Sequence, residues 1–307
     1  MDNIELNLKD LKLIAELEKN SRASITHMAK ATGVSKEVAN YRLKKLISSG
    51  LIKEFSAVID YFSLGFELYR MLVNLHNIKE NTIKEIVNDL KKSKMTSVHL
   101  TVQSQWDLDI RMWIKRPEEF YEFYESFVQK YSDFIMNKEF SIITRMHLFR
   151  HSYLYGEHEA IVLKSQKHPQ IIEEADYAVL DLLKENPKME IINLSKKLGM
   201  PSTTLNYKIK QLMSKGIIKC FVPVLNISLL GYNTYIVLMS LSNPSKKNQV
   251  VEYLSQKPNV TEIHESIGET DIEFSADFKT AMELETFLEK LRIEMPYIND
   301  FEIIMAF

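Results

Sequence analysis

GVSKEVANYRLKKLISSGLIK, residues 33–53, returns 166 positions later as GMPSTTLNYKIKQLMSKGIIK, residues 199–219. Residues 10–65, which contain this stretch, align with 176–231 without a gap, and 18 of the 56 positions are identical. The identities concentrate on glycines and apolar residues, which chance does not produce. The repeat therefore predicts one structural module that occurs twice in tandem.

Apolar spacing inside the repeat predicts three helices. Residues 8–19 form the first helix, and Ser24 caps a short second helix that ends at Gly33, a residue able to adopt positive φ. Ser35 caps the third helix, which stops at Gly50. Three helices of these lengths, with a glycine in the second turn, are typical of a helix-turn-helix.

The third helix of each module turns its apolar residues inward and leaves a polar face. Asn can form a bidentate contact with adenine, and Ser, Thr, Lys and Tyr offer donors to base edges and phosphates. Double-stranded DNA is therefore the predicted partner. The predicted DNA-binding residues are Ser35, Lys36, Glu37, Asn40, Tyr41 and Lys44 in the first module and Ser202, Thr203, Thr204, Asn206, Tyr207 and Lys210 in the second.

Local charge supports this prediction although the whole chain carries only −2. Residues 22–53 hold seven Lys or Arg against Glu37 alone, and residues 188–219 hold seven Lys against Glu190 alone. Matching basic patches are the footprint expected for phosphate contacts. A solvated helix face is the alternative, and charge alone does not exclude it.

Each helix-turn-helix is followed by alternating apolar and polar residues, in 51–66 and again after Lys215, which predict a two-stranded wing in each module. The next segment, 66–148, predicts the order βαββαβ, and 232–307 repeats that order. This order indicates a ferredoxin-like α+β sandwich. The predicted elements are strands at 67–75, 96–103, 107–114 and 139–148 and helices at 80–92 and 117–131.

The predicted fold class is thus α+β, with two tandem modules. The open sheet face of each ferredoxin-like part needs a cover, and the second copy in the same chain is the simplest one. The predicted boundaries are 1–62 for the first winged helix-turn-helix, 63–150 for the first effector-type domain, 151–172 for a linker, 173–228 for the second winged helix-turn-helix, and 229–307 for the second effector-type domain.

The two ferredoxin-like parts differ in the turn between their second and third strands. This turn is Ser104, Gln105, Trp106 and Asp107 in the first and Gly268, Glu269, Thr270 and Asp271 in the second. It is interpreted either as a hairpin turn in which the Asp bonds backbone or as the lining of a small-molecule effector site. Formal charge also differs, about +1 over 66–150 and −7 over 231–307.

The string Gly33-Val34-Ser35, Tyr41-Arg42-Leu43, Gly50-Leu51-Ile52-Lys53 and then Gly65 resembles the leucine-responsive regulatory protein / AsnC (Lrp/AsnC) family. The resemblance implies a DNA-binding transcriptional regulator with an effector domain that binds amino acids and mediates dimerisation. It also implies that Arg42 and its counterpart Lys208 hold a phosphate or stabilise the helix. The family's Gly-x-x-Asp effector turn is intact only at Gly268–Asp271. Because family members commonly carry one module, the duplication suggests a built-in pseudo-dimer. Association of chains into a homodimer or a higher homo-oligomer is also expected.

Besides an interaction protein that kept the fold and lost DNA binding, two further hypotheses remain open. Siroheme decarboxylase relatives of the family use the same scaffold, and the candidate groups here are His99, Arg111, His264 and nearby tyrosines. Linker residues His147, His151, His158 and His168, with Glu157 and Glu159, are of types that ligate zinc or nickel, but their spacing matches no compact motif. We predict no enzyme activity, cofactor or bound metal.

Composition and the N-terminal sequence point to a reducing compartment. Cys220 is the only cysteine, which excludes an intramolecular disulfide and fits an ordinary strand residue. MDNIELNLKD lacks the pattern of a signal peptide. The predicted localisation is cytoplasmic.

Overall fold

Three helices and a strand begin the chain in the computed structural model, which describes residues 4–92, 96–100, 104–156 and 159–306, with backbone alone at 98–100, 305 and 306. These elements are α1 (Leu8–Asn20), α2 (Ile25–Thr32), α3 (Lys36–Ser48) and β1 (Ile52–Ile59). A βαββαβ segment follows, consisting of β2 (Glu67–Leu75), α4 (Glu80–Leu90), β3 (Thr96–Leu100), β4 (Leu108–Ile114), α5 (Pro117–Tyr131) and β5 (Ile135–Leu148).

The second half repeats this order after a short connection. The connection contains α6 (Ser152–Tyr155) and β6 (Ile161–Lys164). The repeated elements are α7 (Glu174–Glu185), α8 (Ile191–Leu198), α9 (Ser202–Ser214), β7 (Ile218–Leu225), β8 (Asn233–Leu241), α10 (Lys247–Ser255), β9 (Val260–Gly268), β10 (Ile272–Phe278), α11 (Ala281–Glu294) and β11 (Ile298–Ala306). The predicted α+β class and tandem architecture are confirmed, whereas the predicted domain boundaries stay predictions.

Local capping explains where the helices of the first repeat begin. The Asn7 side chain accepts hydrogen bonds from the backbone at the start of α1, and Ser24 and Ser35 do the same for α2 and α3. Gly33 ends α2 with a φ of 69°, a left-handed conformation that favours glycine. The caps predicted at Ser24, Gly33 and Ser35 are therefore the ones that the chain uses.

The prediction of a two-stranded wing within each module was wrong in its pairing. β1 pairs antiparallel with β7, so each module supplies one strand of a shared two-stranded sheet. Residues 52–59 contain no Gly, Pro, Asn or Asp at which the strand could turn back on itself. Alternation identifies the faces of a strand, but it does not identify the partner strand.

The remaining strands form one nine-stranded sheet within the described residues. Its order is β11-β8-β10-β9-β5-β2-β4-β3, with β6 also paired to β5. The long strand β5 joins the two halves, since it pairs with β2 of its own half and with β9 of the other. The short strand β6 lies in the segment predicted as a linker.

Each ferredoxin-like half packs its helices on one sheet face. Met71 and Ile110 belong to the core under α4 and α5, and Val237 and Phe274 belong to the core under α10 and α11. The opposite faces meet each other, with Leu72 and Trp106 packed against residues of the second half, Leu238 and Ile304. The second copy in the chain thus covers the open face of the first, as the repeat predicted.

The chain divides into two compact units, and both halves of the sequence contribute to each. The helix-turn-helix unit comprises Met1–Asp60, Arg150–Glu159 and Gln170–Tyr232. The sheet unit comprises Tyr61–Phe149, Ala160–Pro169 and Asn233–Phe307. Within the described part of the chain, none of the helices combines the length and apolarity needed to cross a bilayer.

Candidate nucleic-acid interface and effector turns

Helix α3 presents the predicted DNA-binding face to solvent. Ala39 and Leu46 are buried against the helix-turn-helix core, and Leu43 is half-buried. The side chains on the opposite face are exposed, and Tyr41 is 68% exposed. The exposed residues are Ser35, Lys36, Glu37, Asn40, Tyr41 and Lys44.

Helix α9 repeats this arrangement in the second module. It buries Leu205, Ile209 and Leu212, so the polar residues between them point outward. Tyr207 is 65% exposed, close to the value for its counterpart Tyr41. Thr203, Thr204, Asn206, Tyr207 and Lys210 are exposed, and Ser202 is half-buried.

The two faces differ near their amino-terminal ends. Glu37 lies on α3 where Thr203 lies on α9. Bonds from its own backbone N–H and from the Ser35 hydroxyl lower the pKa of Glu37, so its carboxylate remains charged. A carboxylate only accepts hydrogen bonds and repels phosphate, whereas the uncharged threonine hydroxyl can both donate and accept. The two helices therefore offer different chemistry to a DNA groove.

Arg42 and Lys208 have a structural partner in each module. The Arg42 guanidinium donates to Asp10 at 2.7 Å and to Asn7 at 3.1 Å. The Lys208 ammonium donates to Asp176 and to Glu173, both at 2.8 Å, and these bonds raise the pKa of Lys208. Both cations anchor the third helix to the capped start of the first helix. Of the two roles implied by the family resemblance, these contacts match helix stabilisation.

Reciprocal contacts hold the two helix-turn-helix parts together around the β1–β7 pair. The Arg22 guanidinium lies 5.2 Å from the ring centre of Phe221 in the second module. The Lys188 ammonium lies 4.1 Å from the ring centre of Phe55 in the first. Arg22 and Lys188 are counterparts in the repeat, as are Phe55 and Phe221, so this exchange follows a pseudo-twofold relation like that of a dimer.

Both turns of the ferredoxin-like halves use their aspartate to bind backbone. Asp107 accepts from the Leu75 N–H at 2.6 Å, and Asp271 accepts from the Leu241 N–H at 2.9 Å. Lys247 lies 3.2 Å from Asp271 as well. These bonds fit the interpretation of a hairpin turn in which the Asp bonds backbone.

The rest of the first turn surrounds a carboxylate from the other half. The Trp106 indole N–H donates to Glu302 on β11 at 2.9 Å, and Gln105 and Ser104 donate to the same carboxylate at 3.0 Å and 3.1 Å. Trp106 is 2% exposed. The Trp106 side chain therefore fills the first turn, and the turn is hydrogen-bonded to Glu302.

The second turn has smaller side chains and faces a different environment. Thr270 stands where the first turn has Trp106, and Glu269 is exposed. By strand register, Glu139 on β5 is the counterpart of Glu302, because it pairs with Leu72 as Glu302 pairs with Leu238. Burial, followed by the negative charges of Glu302 and Glu269, raises the pKa of Glu139.

Close packing explains the glycine of the second turn. Gly268 has a φ of 142°, and a Cβ atom there would lie 2.4 Å from the backbone oxygen of Phe140. A larger residue would force β5 and β9 apart. The Gly-x-x-Asp pattern at 268–271 is thus explained by packing and backbone geometry.

The groups of the two further hypotheses have other partners. Arg111 donates to Asp109 and Glu273, and His264 lies 3.3 Å from Glu273. The side chain of His99 lies outside the described residues.

The linker histidines are dispersed among separate contacts. His147 is hydrogen-bonded to Glu265 and His151 to Glu18, while His168 is exposed. Glu157 and His158 lie outside the described residues. Among residues 4–92, 96–100, 104–156 and 159–306, no three His, Cys, Asp or Glu form a group that could hold a metal ion.

The long-range partners of these sites were not predicted from the sequence. Asp10 and Asp176 are identical in the repeat, and an identical acid on an otherwise variable first helix is the signal that could have revealed the anchors. Arg70, a charged residue within an otherwise apolar strand, could likewise have indicated a buried ionic partner. Glu302 carried none, because its role depends on a pairing between distant segments.

Comparison with known proteins supports the repeat and its DNA-binding part. A family model described as winged helix-turn-helix DNA-binding matches residues 6–53 and again 172–219. The uncharacterised HTH-type transcriptional regulator PH1916 of Pyrococcus horikoshii is 34% identical over 128 residues, which span 40% of this chain and 85% of that protein. The HTH-type transcriptional regulator FL11 of Pyrococcus furiosus is 29% identical over 119 residues, spanning 39% and 79%.

A solved structure resembles nearly the whole chain. The siroheme decarboxylase NirDL has a TM-score of 0.64, covers 97% of this chain and 90% of its own, and is 12% identical. At that identity the likeness concerns the fold alone. The two helix-turn-helix matches, the regulator relatives and the motifs at residues 33–65 identify the family. The chain belongs to the Lrp/AsnC family of DNA-binding transcriptional regulators, as a form in which the module occurs twice.

Proposed function

We propose that this regulator recognises one asymmetric DNA site with two unlike helices, α3 and α9. The observation that carries the proposal is the exposure of equivalent residues, Asn40 and Tyr41 on α3 and Asn206 and Tyr207 on α9, within one compact unit. Two such helices in a pseudo-dimer are expected to enter successive major grooves about one helical turn apart.

The DNA-contacting residues have distinct roles in this proposal. Asn40 and Asn206 contact adenine, and Lys44 and Lys210 neutralise phosphates. Lys36 and Glu37 favour a different base sequence from Ser202, Thr203 and Thr204. Arg42 and Lys208 act indirectly, because their contacts with Asp10 and Asp176 hold the helices in place.

Binding-site selection with the full chain, followed by footprinting, tests this proposal. The expected site has two unlike half-sites about 10 base pairs apart. Asn40→Ala is expected to relax one half-site and Asn206→Ala the other. If two chains associate as a homodimer, four helices meet DNA and the whole site becomes palindromic. Symmetric half-sites bound by a monomer would contradict the asymmetric site.

We further propose that a small molecule such as an amino acid modulates the regulator at the turn from Gly268 to Asp271. The equivalent turn at Ser104–Asp107 is filled by Trp106 and bonded to Glu302, which favours the second turn. The raised pKa of Glu139 supports a ligand with an amino group, since a nearby cation would relieve the repulsion among the carboxylates.

An amino-acid panel tests the effector proposal through the thermal unfolding midpoint and DNA affinity. A binding amino acid is expected to raise the midpoint. Thr270→Trp, which introduces the residue of the first turn, should abolish the shift. Trp106→Phe serves as the matched variant at the first turn and should leave the shift in place. A shift that survives Thr270→Trp would contradict this location.

A tetrapyrrole decarboxylase is the second candidate function, favoured by the fold likeness to NirDL over 97% of the chain. The ion pairs of Arg111 and His264 support a non-enzymatic role, because these groups are already committed to Asp109 and Glu273. A tetrapyrrole absorption band in the purified protein, or product formed from siroheme, would establish the enzyme instead.

A further inference from the structure

A buried ionic network lies between the two facing sheet halves of the sheet unit. Its members are Arg70, Asp109 and Arg111 from the first half and Glu273 from the second. Arg70, Asp109 and Glu273 are each 2% exposed. Buried charges are costly unless opposite charges and hydrogen bonds compensate them, so the composition of this network constrains what can pack there.

Each arginine contacts an acid of both halves. Arg70 donates to the two oxygens of Asp109 at 3.0 Å and 2.9 Å and also to Glu273. Arg111 donates at 2.8 Å to Asp109 and at 2.8 Å to Glu273. Two guanidinium groups and two carboxylates therefore compensate one another across the junction.

Strand register shows that the acids occupy equivalent positions in the two halves. Asp109 pairs with Leu72, and Glu273 pairs with Leu238, the counterpart of Leu72. The arginines have no such counterparts. Arg70 pairs with Arg111, whereas the same cross-strand pair in the second half is Ile236 with Ser275. Both faces thus carry an acid, but only the first carries the two cations.

This difference penalises pairing between like faces. Within this network, two copies of the first face would bring four arginines to two aspartates, and two copies of the second would bring two glutamates together without an arginine. The half-buried Glu139 and Glu302 occupy equivalent positions on the two faces and so do not distinguish them. His264 offsets only part of the deficit in the second case, because it lies 3.3 Å from Glu273 and 3.4 Å from Glu262 and one imidazole is shared between the two carboxylates. Only the pairing of unlike faces balances the arginines against the acids.

We propose that Arg70 and Arg111 determine pairing specificity, so that the first ferredoxin-like half accepts the second and rejects a copy of itself. The network selects the partner by charge, because each wrong pairing leaves uncompensated buried charge. The formal charges of the two segments, about +1 over 66–150 and −7 over 231–307, favour the same choice. The chain thereby keeps its two halves together and excludes like-to-like pairing with other copies.

Transplanting the arginines tests the proposal. One variant carries Arg70→Ile and Arg111→Ser, a second carries Ile236→Arg and Ser275→Arg, and a third carries all four substitutions. The third is expected to unfold within a few degrees of the unmodified chain, because the same network forms from the opposite side. Each two-site variant should lose roughly 10 °C of its unfolding midpoint. Lys84→Ser with Lys92→Ser controls for the loss of two positive charges, since both lysines are well exposed.

Co-expression of the two-site variants with different affinity tags provides the decisive readout. The variant with Arg70→Ile and Arg111→Ser has an acid but no arginine on either face. The variant with Ile236→Arg and Ser275→Arg has arginines on both faces. The faces of one variant therefore compensate those of the other, and the two are expected to pair. Mixed complexes should exceed the half expected from random association, even where either variant alone is insoluble. A four-site variant as unstable as the two-site variants, or mixed complexes at or below random frequency, would overturn the proposal.

Discussion

Arg42 on the third helix of the first module lies 2.7 Å from Asp10 on the first helix, and Lys208 stands in the same relation to Asp176 at 2.8 Å. In each module the acid is buried and also belongs to a capping box at the start of the first helix. The ion pair therefore connects a helix terminus to the middle of the helix proposed to meet DNA. The cation has changed between the modules while the geometry has remained.

Arg42→Ala is expected to lower the free energy of unfolding by about 1–3 kcal/mol, because it leaves the buried Asp10 carboxylate without its charged partner. Urea unfolding of the full chain measures the loss. Arg42→Lys is the matched control and should recover most of the stability, since lysine performs this task at position 208. Equal losses in both variants would show that the guanidinium shape, and not the charge, is required.

Lys44→Ala and Lys210→Ala are expected to weaken DNA binding without lowering stability. Both side chains are exposed on the proposed DNA face. Each should reduce the slope of log affinity against log salt by about 1, as expected when one phosphate contact is removed. Titrations at several salt concentrations measure this slope, and Lys91→Ala, exposed on the sheet unit, is the control. An unchanged slope would place the DNA face elsewhere.

Features that depend on nearby residues were predictable from the sequence. Ser24, Gly33 and Ser35 act within one turn of a helix, so their side-chain chemistry is sufficient to identify the caps. The inward faces of α3 and α9 followed from apolar spacing for the same reason. The repeat also made the pseudo-dimer predictable, because the open sheet face of one module must be covered and the second module can cover it.

Features that depend on strand partners were not predictable. The alternation in Ile52–Ile59 is satisfied equally by a hairpin and by the observed pairing with β7. Asp109 and Arg111 lie on the inner face of β4, where alternation alone would suggest solvent. Their burial follows only once the second half covers that face and supplies Glu273.

Glu302→Ala is expected to destabilise the sheet unit by about 1–3 kcal/mol. The substitution removes the acceptor of three hydrogen bonds, one of which comes from the buried Trp106 indole N–H. Unfolding followed by tryptophan fluorescence measures the change. Glu294→Ala, at an exposed position of α11, controls for the loss of a negative charge. Equal stability of the two variants would mean that the contacts of Glu302 contribute nothing to the fold.

Glu139→Gln is expected to raise stability at neutral pH and to have no effect in acid. Burial and the charges of Glu302 and Glu269 raise the pKa of Glu139. The protonated Glu139 carboxyl therefore contributes stability that is fully present below the ordinary glutamate pKa. This contribution is lost as the pH rises through the raised pKa of Glu139 in the folded protein. The midpoint difference between variant and unmodified chain, measured by calorimetry from pH 4 to 8, should grow with pH. A midpoint difference that does not change with pH would show that the substitution acts through side-chain packing and not through the charge of Glu139.

The Cys220 thiol is expected to be almost inert in the native protein. It lies on β7 with 7% exposure, and burial raises its pKa to about 11. At pH 8 the thiolate fraction is then about one in a thousand, which makes alkylation by iodoacetamide roughly 100-fold slower than in an unfolded chain. The native rate should rise tenfold per pH unit, and the urea-unfolded protein provides the reference rate. Native alkylation at the unfolded rate would instead identify Cys220 as an accessible, reactive thiol.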